Sequence, residues 1–125
     1  MVKLGAVTPV LRIFDEAKAR EFYVDFLGFT IEFEHRYGDN FPIYMAISHS
    51  GCRLHLSEHH GDGSPGAHVR ISADDVDQMC KDLSAKDYKF AKPGGGEKTP
   101  WGTIEVTITD PFANRLTFAQ EGSTS

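Results

Sequence analysis

The side chains best suited to chemistry gather in Arg53-Leu54-His55-Leu56-Ser57-Glu58-His59-His60, which holds three of the six histidines. Imidazole ligates transition metals and titrates nearest neutrality, so such a stretch points to metal binding or proton transfer. Successive side chains of an extended strand face opposite ways. His55 and Ser57 therefore share one face, and Leu54 and Leu56 the other. The same parity collects Thr8, Val10 and Arg12, then His68 and Arg70, then Glu105 and Thr107, and finally Thr117. Polar residues thus converge from several strands. His55 and His68 begin a metal site, yet a divalent ion wants three or four strong ligands, and a threonine hydroxyl is a poor substitute for a carboxylate or thiolate. Hydrogen-bonded histidines in a polar cavity are the alternative. His59 and His60 could chelate, but in a turn-rich linker such a pair is more often solvated, and adjacent residues of a strand diverge. His35 and His49 lack partner spacing.

Other chemistry leaves little trace. There is no GxSxG and no Cys-His arrangement, and Gly94-Gly95-Gly96 lacks the Lys-Ser/Thr that a phosphate loop needs. Pro100-Trp101-Gly102 places the single tryptophan at a strand entrance after that loop. Its ring could stack on a flat ligand or plug the rim of a sheet. Phe33, Phe41, Tyr44 and Phe90 are further candidates for aromatic lining, but strand parity does not place them.

The elements that must position these residues repeat. Val7 to Ile13 alternates as a strand, with Pro9 suiting an edge. Asp15 caps a helix carrying Ala19, Phe22, Tyr23, Phe26 and Leu27 on one face, and Gly28 ends it. Strands follow at Phe29 to His35, Ile43 to Ser48 and around His55, giving βαβββ. A linker rich in glycine and polar residues, running from His59 to Gly66, separates the halves. The order then restarts with a strand at His68 to Ser72. Asp74 and Asp75 offer a cap for a helix with Val76, Met79, Cys80 and Leu83 on its apolar stripe. A short strand over Tyr88 to Lys92, a strand at Thr103 to Thr109, a turn at Asp110-Pro111-Phe112-Ala113-Asn114 and a final strand at Arg115 to Ala119 complete the copy. Thr8 to Asp15 aligns with His68 to Asp75 without a gap, and Arg53-Leu54-His55-Leu56 is echoed by Arg115-Leu116-Thr117-Phe118. The expected fold is α+β: two βαβββ modules, about 5–60 and 66–121, form a curved mixed sheet around a cavity with helices outside.

Composition bounds the rest. A chain of 125 residues makes one domain, 1–125, able to bury about two thirds of its unfolded surface without a metal or disulfide. A net charge of -5 with interspersed signs argues against nucleic-acid binding. Cys52 and Cys80 lack framework spacing and read as reduced, buried thiols. No secretion signal and no run of ~18 apolar residues is present, so a cytoplasmic protein away from membranes is expected.

Several motifs together carry a family resemblance. They are Val10-Leu11-Arg12-Ile13 leading to Asp15, Phe22-Tyr23 leading to Leu27-Gly28-Phe29, Pro100-Trp101-Gly102, and Asp110-Pro111-Phe112-Ala113-Asn114-Arg115-Leu116. Over nearly the whole chain they resemble the glyoxalase, bleomycin resistance protein and extradiol dioxygenase superfamily, the vicinal oxygen chelate proteins. Enzymes of that superfamily hold a divalent metal through one side chain from the first and last strand of each half, positions that fall here at Thr8, His55, His68 and Thr117. Two are imidazoles, and Thr117 stands where a glyoxalase-like member would carry a carboxylate ligand or base, which argues against that reaction. The pattern is nearer the bleomycin resistance branch, whose members sequester a cationic glycopeptide in a dimer groove without metal or catalysis. The resemblance implies a homodimer built from modules of two chains. It also implies a bleomycin-like ligand and no cofactor; strand parity and the placement of the tryptophan give Thr8, His55, Ser57, His68, Arg70, Trp101, Glu105 and Thr117 as the residues that would line its groove. The alternative it leaves is a lyase, isomerase or dioxygenase using Zn, Ni, Mn or Fe on His55 and His68.

Overall fold

Alternating strands and two capped helices give the chain its order in the computed structural model, which describes residues 2–88 and 93–121. The first module runs β1 (Val10–Arg12), α1 (Glu16–Ala19) continuing as a π-helical stretch (Arg20–Phe26), β2 (Thr30–Arg36), β3 (Ile43–His49) and β4 (Cys52–Ser57). The second runs β5 (His68–Ser72), α2 (Val76–Ala85), β6 (Glu97–Lys98), β7 (Thr103–Thr109) and β8 (Arg115–Glu121). Each forms a four-stranded mixed sheet, ordered β1-β4-β3-β2 and β5-β8-β7-β6, curved but not closed. In each the first strand lies parallel to the last: Val10 pairs with His55, and Arg70 with Thr117. Since Val10 aligns with Arg70, the registers carry the internal repeat into three dimensions.

Both helices start where expected. Asp15 accepts the Lys18 N–H at 3.0 Å and Asp75 that of Gln78 at 3.0 Å, each satisfying an otherwise orphaned donor of the first turn. Gly28 ends the first helix with φ 85°. Two expectations shift. The strand expected at Val7 to Ile13 is ordered as β only over Val10–Arg12, and Val7 is exposed. The second strand of the second module is β6, beyond the glycines; of the expected Tyr88 to Lys92 strand, residues 89–92, with Phe90, lie outside the described residues, and Tyr88 is not in a strand.

The core takes one face of each sheet together with the helix stripes. Leu54, Leu56, Met45 and Ile47 from the first sheet, and Leu116, Phe118 and Val106 from the second, share one buried cluster with Phe22, Tyr23, Phe26 and Leu83. The modules are also joined by polar bonds. Tyr23 donates to Asp110 at 2.6 Å, and Asn114 donates to the Arg12 carbonyl at 2.9 Å. Lys86 donates to the carbonyls of Asp25 at 3.1 Å and Phe26 at 2.7 Å, satisfying acceptors at the end of the first helix. The linker packs on β1: Gly63, at φ 67°, approaches so closely that a Cβ would lie 2.6 Å from the Val10 carbonyl oxygen.

Candidate functional site

On the first module the face opposite the core is aromatic, and a β-bulge makes it so. Regular pairing from Ile31 opposite Ile47 would set Phe33 against Met45, on the core side. The register instead shifts between Ile31 and Phe33, bringing Phe33 opposite Ala46. Ala46 is also opposite His55, and its small side chain leaves room for three rings to meet above it. Phe33 and Tyr44 stack with centroids 6.5 Å apart and planes 16° apart. His55 stands edge-on to both, at 5.8 Å and 5.3 Å, and its Nδ1 shares a 2.6 Å hydrogen bond with the Tyr44 hydroxyl. Phe33 remains 50% exposed, so the cluster presents a flat surface to solvent. Next to it the Arg12 guanidinium lies 4.7 Å over the Phe14 ring.

The matching face of the second module is polar and centres on Glu105. Arg70 grips this carboxylate with two nitrogens, at 2.6 Å and 3.2 Å. The Thr103 hydroxyl donates to it at 2.7 Å, and the Trp101 indole N–H at 3.2 Å. Arg70 first, then Thr103, with smaller help from Trp101, push the carboxyl down to about 2, so it is an anion at any physiological pH. Trp101 rides the tip of a turn closed by Thr99 N–H to the Thr103 carbonyl at 2.9 Å, with Gly102 at φ 92°. It is 68% exposed, yet its one polar atom is tethered. A ring held at its edge with its faces free suits stacking on a flat partner. Beside this group, the Thr117 hydroxyl is 2.7 Å from His68 Nε2 and 2.8 Å from the Thr107 hydroxyl.

The expected lining residues therefore fall into local groups. Arg70, Glu105 and Trp101 form one, His68 and Thr117 a second, and His55 joins aromatic neighbours on the other sheet. His55 and His68 each lie on the open side of their own sheet, and among the described residues no hydrogen bond links their groups. Thr8 sits ahead of β1 and is half-buried. Ser57 departs from its expected role. Fully buried, it donates to Asp62 at 2.9 Å and accepts the His59 N–H at 3.0 Å, so it holds the linker turn and offers no surface to a ligand. Nor is Glu105 a free anion for a cationic ligand, since Arg70 neutralises it. A metal on the two histidines would need further donors: among the described residues no three His, Cys, Asp or Glu side chains come together to share an ion. Parity reasoning left Phe33 and Tyr44 unplaced, and the structure puts both beside His55. No signal in the alternation could have found Phe33, because the register shift between Ile31 and Phe33 reverses its parity.

Paired βαβββ modules, each closed by a parallel first and last strand, define a glyoxalase-type α+β fold. The chain belongs to the glyoxalase superfamily: the family described as "Glyoxalase superfamily protein" matches residues 1–124. Among curated proteins none matches. Among solved structures, the chain resembles the bleomycin-binding protein of bleomycin-producing Streptomyces verticillus, solved with copper(II)-bleomycin, with 27% identity, TM-score 0.73 and coverage of 98% of this chain and 100% of that one. It also resembles TnmS3, an antibiotic binding protein from Streptomyces sp. CB03234, with 21% identity, TM-score 0.75 and the same coverages. A glyoxalase/bleomycin resistance protein/dioxygenase superfamily member from Sphaerobacter thermophilus shares 21% identity over 94% of this chain and 98% of its own, with TM-score 0.71.

Proposed function

We propose that this protein is a cytoplasmic binding protein that sequesters a planar, bleomycin-like antibiotic, without chemistry, in grooves between two copies of the chain. The observation that carries the reading is the pairing of two exposed, fixed aromatic surfaces, Trp101 on one module and Phe33 with Tyr44 on the other. Ring surfaces held in place lose little entropy when a flat ligand stacks on them. Dimerisation covers the apolar surface these open faces expose, and sets the aromatic wall of one chain against the polar wall of its partner. His55, His68 and Arg70 then offer hydrogen bonds, each contributing about 1 kcal/mol net, while buried Thr117 braces His68 from beneath. The bleomycin-bound relative supports the ligand class, and no helix among the described residues is long and apolar enough to cross a membrane.

The test uses the single tryptophan as its signal. Titration with bleomycin is expected to change the Trp101 emission saturably. Trp101→Ala, followed by calorimetry, should weaken binding by about 2 kcal/mol, roughly 30-fold, while His55→Ala and His68→Ala cost less. A ligand lost with either histidine but kept without Trp101, together with near-stoichiometric bound metal in the purified protein, would overturn the reading in favour of a metal enzyme on His55 and His68. Sedimentation showing only monomer at micromolar concentration would remove the shared groove.

A further inference from the structure

The internal repeat exposes a place where the two modules part. Ser48 opposite Arg53 encloses the four residues His49-Ser50-Gly51-Cys52, whereas Thr109 opposite Arg115 encloses the five residues Asp110-Pro111-Phe112-Ala113-Asn114. The longer turn carries an aromatic ring into the protein: Phe112 is buried, with its centroid 6.2 Å from that of Phe14. In the gap-free match of the two modules, Phe14 corresponds to Asp74. The shorter turn has no counterpart of Phe112, and Ser50 and Gly51 pass through it at φ 53° and 85°.

The consequence is a pair of unequal clefts at the module boundary. One, against the longer turn, measures about 390 Å³. The other, against the shorter turn and α2, measures about 680 Å³, within the range of small-molecule sites. Phe29, Ile71, Leu83 and Phe118 give the larger cleft apolar walls, and Asp74 and Asp82 add two carboxylates. Lys86 leaves the lining with one net negative charge, and neither carboxylate is ion-paired among the described residues. Lys86 is engaged by the carbonyls of Asp25 and Phe26, and His49 Nδ1 shares a 2.8 Å bond with the Ser50 hydroxyl. Asp82 accepts one bond, from Gln78 at 2.9 Å on the same helix, and Asp74 makes no ion pair among the described residues.

We propose that this cleft is a second ligand site, for a small aromatic amine. The ring supplies what Phe112 supplies in the other module, and the ammonium meets the carboxylates of Asp74 and Asp82. The proposal does not rest on the antibiotic reading, because Trp101, Phe33, Tyr44, His55, His68, Arg70 and Glu105 do not line the cleft.

Two-dimensional ¹⁵N NMR of the full chain titrated with phenethylamine tests it, with 2-phenylethanol as the uncharged control. Saturable shifts are expected at the amides of Ser50, Cys52, Ala73 and Met79. Asp74→Asn with Asp82→Asn, both exposed and so compatible with folding, should weaken the amine at least tenfold, and the alcohol should bind wild type no better than the double variant binds the amine. Met79→Trp, which fills the cleft, should abolish the shifts, while Trp101→Ala leaves them unchanged. The proposal is overturned if those amides do not shift at millimolar amine, if the double variant binds like wild type, if the alcohol binds as well as the amine, or if Trp101→Ala removes the shifts.

Discussion

Deleting one hydroxyl, in Tyr23→Phe, probes the join between the modules. Asp110 is 5% exposed, and its carboxylate accepts four hydrogen bonds: Tyr23 O–H at 2.6 Å, and the Phe112 N–H, Asn114 N–H and Asn114 side-chain amide, each at 2.8 Å. The variant keeps the ring and its packing, so it opens almost no cavity and isolates one charge-assisted bond. Such bonds contribute about 1.5–3 kcal/mol net, and three donors remain, so we expect a loss of about 2 kcal/mol. For a chain of this size that lowers Tm by roughly 6–10 °C. Urea unfolding should show a lower midpoint with an unchanged slope. A double-mutant cycle with Asp110→Asn should give a coupling of about 1 kcal/mol or more. Burial, then the charge of Asp110, holds the Tyr23 phenol well above its ordinary 10. A pKa raised on folding leaves stability intact below the unfolded value and erodes it as pH climbs towards the folded one, so wild type should weaken above pH 10, and Tyr23→Phe by less. A Tyr23→Phe midpoint equal to that of wild type, with no coupling in the cycle, would refute the reasoning.

Gly63→Ala forces a side chain into positive φ and against the Val10 carbonyl, and should cost about 2 kcal/mol in urea unfolding; Gly51→Ala, at φ 85° with open space around it, should cost about 1 kcal/mol. The Glu105 carboxyl, lowered from 4.5 to about 2, keeps its hold on Trp101 as pH falls through the ordinary carboxylate range. Trp101 emission should therefore stay constant from pH 7 to about 4 and change near pH 2, whereas in Arg70→Ala the change should move up towards pH 4.5. Burial raises both thiols, aided at Cys80 by Asp77. At pH 8 an alkylating reagent should label Cys52 more slowly than free cysteine, and buried Cys80 more slowly still.

Sequence reasoning reached furthest where local chemistry and long-range packing agree. Asp15 and Asp75 cap their helices as expected, Thr103–Thr109 alternates as a strand over its full length, and the aligned first strands pair with the aligned last strands. It fell short where a side chain's surroundings depend on something a pattern does not carry. A one-residue bulge turns Phe33 from core to open face, and period-two reasoning has no mark for it. Ser57 shares the parity of His55, but the linker folds over it and takes up its hydroxyl. Glu105 looked like an acidic contact because its sequence neighbours do not show that Arg70, from another strand, would claim it. The bond from Tyr23 to Asp110 spans the two modules, and neither residue's neighbourhood announces the other.

The parallel pairing of first strand with last makes each module a cassette sealed along one seam, entered at one end of that seam and left at the other. A second copy can then be appended in line with a short connector, without rethreading any strand. The same closure orders folding in time. β1 gains its partner only after the intervening helix and hairpins have condensed enough to bring β4 alongside, and β5 waits likewise for β8. Such late, non-local pairing slows folding relative to a chain of local contacts. It also leaves β1, three residues long, as the strand whose release would reopen the first cassette.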